Sequence, residues 1–141
     1  EHLHRDLMKI QDTVVVSGSA ISQFVGLHAM REGRGYCGAH LPSLGRVRKE
    51  VLARIEAVPD LVKVPPATGA FYLFAKVNTE MSAIALAERL VREHKVAVIP
   101  GETFGMVRGC WLRIAYGSLR EETAVEGIDR LITGLRAILA R

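Results

Sequence analysis

The chain has 141 residues, 49% of them hydrophobic and 24% charged, with a formal net charge of +4 at pH 7. That bounds it to one domain, or a domain with part of another, with enough apolar residues for a core; no uncharged apolar run reaches membrane-spanning length, so a soluble protein with no membrane partner is expected. The basic residues are scattered, and the densest group, Arg46, Arg48 and Lys49, stands beside Glu50 without interleaved aromatics, which argues against a nucleic-acid partner.

The first twelve residues, EHLHRDLMKIQD, are charged throughout and cannot be a secretory signal. With no initiator methionine, the chain is expected to be a piece of something longer. TVVVS (13–17) reads as a short extended run, and residues 19–30 as a short helix with Ile21, Phe24, Val25 and His28 on one side. Arg31 to Gly35 interrupts any regular element and reads as a hinge. A long amphipathic helix follows, with Leu44, Val47, Val51, Ile55 and Val58 at three- and four-residue steps. Pro42 suits its first turn or a kink, and Pro59 with Asp60 closes it.

Residues 61–64 (LVKV) and 70–77 (AFYLFAKV) read as strands on either side of a Pro-Pro turn. A helix over roughly 80–94 points Ile84, Ala87, Leu90 and Val91 inward. VAVI (96–99) is a third strand, ended by the tight turn that Pro100-Gly101 favours. WLRIAY (111–116) is the fourth. Ser118 to Glu121 forms a capping box at the start of a last helix that carries Val125, Ile128, Ile132, Leu135 and Leu139 on one face. The order helix, helix, β, β, α, β, β, α implies an α/β architecture, a small mixed sheet covered by helices on one face.

Few residues carry chemistry. Cys37 and Cys110 follow no metal-ligand spacing and read as two free thiols in a reducing cytoplasm; His2 and His4 have no companions, so no metal site is expected. Ser17, Ser19 and Ser22 lack a nucleophile elbow, and no catalytic set emerges. Arg113 is different. Alternation puts it with Trp111 and Ala115 on one face of an apolar strand, where an unpaired charge is costly and must find an anion. An internal carboxylate would serve, and so would a ligand carboxylate bound through two parallel hydrogen bonds. Spacing alone leaves both open, the ion pair being the commoner circumstance. Ile99 to Gly105 (IPGETFG) is either an ordinary connection or a loop that turns Thr103 and Phe104 to a ligand. In TGAFYLF (68–74), Phe71 could line a pocket wall, while Phe74 reads as core.

Together and in this order, DTVVVSGSAISQ (12–23), PPATGAFYLFAKV (65–77), VAVIPGETFG (96–105), GCWLRIAYG (109–117) and GIDRLITGLRAIL (127–139) resemble the C-terminal part of class I/II pyridoxal-phosphate-dependent aminotransferases. The resemblance implies the aspartate-aminotransferase-like fold, with residues 1–30 as the tail of the large cofactor domain and 31–141 as the small domain. It implies that Arg113 grips the α-carboxylate of the substrate, with Phe71 near it. The small domain would close over the active site while an amino group passes between an amino acid and a 2-oxo acid. The parent would be a homodimer.

The family's cofactor lysine lies in a Ser-x-x-Lys segment ahead of everything present here, and Lys9, Lys49, Lys63, Lys76 and Lys95 have no such setting. No cofactor-binding residue is therefore assigned. Pyridoxal 5′-phosphate is expected in the full-length parent and not on this fragment, which would be inactive alone. The alternatives are a stand-alone α/β module that binds amino acids for regulation, or an interaction domain in which Arg113 bridges to an acid such as Glu126.

Overall fold

Alternation of apolar and polar side chains in two stretches sets the sheet. In β2 (Tyr72–Val77), Leu73, Ala75 and Val77 are buried, and in β4 (Cys110–Ala115), Cys110, Leu112 and Ile114 are buried. The two strands pair antiparallel along their full length, Tyr72 opposite Ala115 through Val77 opposite Cys110. This register keeps both buried sets on the same face. Two short edges complete the sheet, β1 (Val62–Lys63) on β2 and β3 (Ile99–Pro100) on β4, in the order β1-β2-β4-β3. The computed structural model describes residues 3–117 and 120–140.

The expected mixed sheet is corrected by this topology, because every neighbouring pair is antiparallel. The crossover after β2 does deliver β3 running the same way as β2. The chain then returns between them as β4, so the two parallel strands never touch. The expected third strand over 96–99 shrinks to Ile99–Pro100, paired with Arg113 and Leu112.

Helices cover one face. α3 (Arg34–Glu56) buries Val47, Val51 and Ile55, α4 (Ala83–His94) buries Ala83, Leu86, Ala87 and Leu90, and α5 (Glu121–Leu139) buries Ala124, Ile128, Leu131, Leu135 and Ile138. With the inner side chains of β2 and β4 they form one core. Ile84 and Val91, expected inward, are exposed. α4 carries two overlapping apolar stripes, and the one with small Ala83 and Ala87 at its centre packs closer to the sheet. The expected capping box rests on Ser118, outside the described residues; Arg120 stands at the N-cap without a side-chain cap bond.

The chain divides into two compact units, 1–40 and 41–141, at a point within α3. The first unit holds α1 (His4–Val14), α2 (Ala20–Glu32) and the first residues of α3. Of the extended run expected over 13–17, Thr13 and Val14 are instead the end of α1, and the rest forms no strand. Thr13 Oγ1 donates to the Lys9 carbonyl at 2.8 Å, and the amides of Val15 and Val16 both close on Gln11. Such local bonds satisfy the last carbonyls of a helix and override the β propensity of Thr and Val. α2 starts at a Ser19 cap and ends at Gly33, which takes φ +64° between α2 and α3. Pro42 lies inside α3 rather than in its first turn. α1 and α2 bury none of their residues.

Leu112 is fully buried, and Arg113 beside it points the other way. Leu112→Ala is expected to cost about 2–5 kcal/mol of stability through lost burial and a residual cavity. Urea unfolding of the chain followed by circular dichroism measures this, and a loss below about 1 kcal/mol would contradict the assignment of faces.

Candidate functional site

The face of the sheet away from the helices carries Tyr72, Phe74 and Lys76 from β2 and Trp111, Arg113 and Ala115 from β4. Phe74 is paired directly with Arg113. It is half-buried here rather than in the core, where it was expected. Its ring stacks on Trp111 at 5.3 Å and 12° and meets Phe104 edge-on at 6.0 Å. Alternation puts Phe74 opposite Leu73 and Ala75 in facing, and those two smaller side chains took the core.

Arg113 is half-buried. Its Cζ lies 4.8 Å from the centre of the Phe104 ring and 5.2 Å from that of Tyr72. Attraction of a cation to a ring face acts at this range. Its Nε is buried and has no hydrogen-bond partner among the described residues, where no carboxylate forms an ion pair with Arg113. Glu126, the acid named for a structural bridge, pairs with Arg130 one turn along α5. A donor that is dry and unpaired inside a protein is costly, and an incoming oxygen would remove the cost.

Phe104 is carried by a 3₁₀ turn over Gly101–Phe104, within the IPGETFG loop. The turn is fixed at several points. Gly101 sits so tightly on β4 that a Cβ there would come within 2.6 Å of Trp111 Cβ. Glu102 Oε1 accepts from the Ala83 amide at 3.1 Å, which ties the turn to the first residue of α4, and Met106 N donates to the Gly101 carbonyl. Thr103, expected to face a ligand with Phe104, is exposed and makes no bond that ties it to Arg113.

Phe71 stands just before β2, exposed, its ring edge-on to Tyr72 at 5.7 Å. Its position is pinned from β4: Tyr116 N and Gly117 N both donate to the Phe71 carbonyl, and the Tyr116 hydroxyl donates to the Ala70 carbonyl at 3.0 Å. Ala70 takes φ +66°, a left-handed conformation that costs a residue with a Cβ, held here by those three bonds. The Tyr72 ring thus meets both the Phe71 ring and the Arg113 guanidinium. Sequence reasoning missed Tyr72, although the same alternation that grouped Trp111 with Arg113 groups Tyr72 with Phe74. A separate cavity of about 210 Å³, lined by Val98, Ile114, Tyr116 and Ile128 among others, does not include Arg113.

Residues 4–131 match the family model described as aminotransferase class I and II. An aromatic aminotransferase of Arabidopsis thaliana is 30% identical over 135 residues, 95% of this chain and 34% of that protein. Among solved structures, an aspartate aminotransferase of Thermotoga maritima superposes with a TM-score of 0.72 at 27% identity, covering 91% of this chain and 32% of its own. An α-aminoadipate aminotransferase of Thermus thermophilus, complexed with N-(5′-phosphopyridoxyl)-L-leucine, has the same fold with a TM-score of 0.80 at 22% identity over 99% of this chain and 36% of its own. The chain spans about a third of the length of the curated relatives it matches.

The two thiols differ sharply. Cys37 is exposed, whereas Cys110 is buried, and burial, with the nearby Glu102 charge adding to it, pushes its pKa from 9.0 up to about 11. A pKa raised on folding means that this group's contribution to stability is intact below about pH 9 and is lost as the pH climbs toward 11. Iodoacetamide at pH 8 should therefore modify Cys37 alone in the folded chain, and both thiols in urea. Two rapid equivalents without denaturant, counted by mass spectrometry, would place Cys110 at the surface.

Proposed function

The chain belongs to the aminotransferase class I and II family, and from that premise we propose that it is the substrate-carboxylate-binding third of a pyridoxal-phosphate-dependent aminotransferase. The parent would transfer an amino group between an amino acid and a 2-oxo acid, with this segment closing over the substrate. Arg113 carries the reading. Its guanidinium is half-buried among aromatic rings on the sheet face, its Nε is dry, and no protein carboxylate among the described residues claims it. The planar fork of Arg matches a carboxylate with two parallel hydrogen bonds, which fixes both the position and the rotation of the bound amino acid. Tyr72, with the Phe71 ring edge-on against it, would border that pair.

The described residues do not fit the cofactor itself. Lys9, Lys49, Lys63, Lys76 and Lys95 are all exposed, on four different elements and one helix cap, and Lys95 Nζ donates to the Arg92 carbonyl. None is enclosed with Arg113. The cofactor would be held by the remainder of the parent, and this chain alone would be inactive. The exposed apolar side chains of the first unit, Ile21, Phe24 and Val25 among them, are consistent with a surface that the remainder covers.

Arg113→Ala in the full-length parent should leave thermal stability nearly unchanged, because the side chain lies outside the core. It should lower kcat/KM by about thirty- to several-thousand-fold, the equivalent of the roughly 2–5 kcal/mol lost with one partner of a desolvated charge pair. Arg113→Lys should recover only part, since an ammonium cannot reproduce the fork. A variant that unfolds while its folded fraction turns over normally would make the arginine structural.

A further inference from the structure

An arginine that must wait for a ligand raises a problem of its own. A long side chain with no fixed partner loses substantial rotamer freedom on binding, and that loss weakens the complex. The usual remedy is a neighbouring carboxylate that holds the guanidinium in place. Here that remedy would occupy the donors the substrate needs. Among the described residues there is no such carboxylate, and the contacts of the guanidinium are with the Phe104 and Tyr72 rings, at 4.8 Å and 5.2 Å.

We propose that Phe104, with Tyr72, is the positioning device of Arg113: the rings hold the guanidinium by their faces and leave its N–H edge free for the carboxylate. This rests on the reading of Arg113 as a substrate-carboxylate site. Attraction to a ring face uses the positive charge of the guanidinium without consuming any hydrogen-bond donor. The rings come from opposite flanks of β4, Tyr72 from β2 and Phe104 from the turn that follows β3. Neither ring is free to wander. Tyr72 is fixed by the β2–β4 register, opposite Ala115. Phe104 is braced edge-on by Phe74, which is itself stacked on Trp111. The backbone beneath Phe104 is held down at Gly101, where no side chain fits, and at Glu102, which caps the start of α4. The IPGETFG loop therefore serves Arg113 through one phenyl ring and needs no polar contact with the substrate.

The test compares Phe104→Leu, Phe104→Tyr and Arg113→Ala, singly and as the Phe104→Leu/Arg113→Ala double variant, in the full-length aminotransferase. Phe104→Leu is expected to raise KM for the amino acid by about 2- to 30-fold, the range of one cation–ring contact, with kcat changed by less than about threefold. Phe104→Tyr, which keeps a ring, should restore KM. In the Arg113→Ala background, Phe104→Leu should have no further effect, because the two act as one unit. In the isolated chain labelled with nitrogen-15, the Arg113 Nε–H proton should resonate upfield through the ring currents and move downfield in Phe104→Leu; the resonance is assigned by its loss in Arg113→Lys. Where Phe104→Leu fails to fold, Tyr72→Leu reads the same effects from the β2 side. An unchanged KM in Phe104→Leu, or a full effect that persists without Arg113, overturns the positioning role while leaving the carboxylate site standing. Normal kinetics in Arg113→Ala would instead remove the carboxylate site, and the positioning role with it.

Discussion

Six consecutive residue pairs between β2 and β4 fix nearly everything else in the second unit. Because the side-chain period of a strand is two, a slip of one residue in β2 would turn Leu73 and Ala75 out to solvent and Phe74 in, and a slip in β4 would turn Leu112 and Ile114 out and drive Arg113 into the helices. Burying that guanidinium against α3, α4 and α5, where the core holds no charged side chain, would leave a charge without compensation. The register is thus held from both sides, by burial of the apolar set and by the penalty for burying the other. The same pairing sets Phe74 beside Arg113 and brings Tyr72 within reach of it diagonally.

The open face then solves a second constraint. On the proposed reading, a guanidinium kept for a ligand cannot be neutralised within the protein, yet it cannot be left loose. Ion pairs in this unit lie elsewhere: Arg54 is held by Glu50 and Asp129 on the outside of α3 and α5, Arg89 by Glu93 on α4, and Arg130 by Glu126 on α5. These pairs are exposed or partly exposed and contribute little each. Arg113 is the arginine on the sheet, and rings stand where those others have carboxylates. The contrast is what the proposed ligand role would require, since a surface pair needs only to be compatible with water.

The strands expected over 111–116 and 70–77, found at Cys110–Ala115 and Tyr72–Val77, the long helix through Val47, Val51 and Ile55, and the grouping of Trp111 with Arg113 were legible from periodicity, because burial of one face leaves a period in the sequence. Arg113 was legible as a residue in want of an anion, since a charge in an apolar strand is conspicuous. Which anion was not, and only the resemblance to aminotransferases pointed to a substrate. Phe74 was misjudged as core because a strand pattern shows two faces without saying which one the helices cover. Ile84 and Val91 were misjudged because hydrophobicity alone does not show that the smaller Ala83 and Ala87 permit closer packing. The run TVVVS was misread because the hydrogen bonds that end α1 outweigh the propensity of β-branched residues. Phe104 was noticed as part of a loop, but its target lies across a tertiary contact with no local signature.

On the proposed reading, the two faces of β4 divide stability from recognition within one strand. Leu112 and Ile114 meet the core, and their neighbours Trp111, Arg113 and Ala115 face away from it. Substitutions on the outward face would therefore alter the surroundings of Arg113 without dissolving the fold, provided that Gly101 still seats the turn and Tyr116 still pins Ala70 and Phe71. Those two residues belong to neither class. Their side-chain space, absent in one and filled in the other, decides where the rings of Phe104 and Phe71 stand. A change at either would reach Arg113 only through geometry. This is why the surroundings of the arginine depend as much on a missing Cβ and one phenol as on the charges and rings that a ligand would meet.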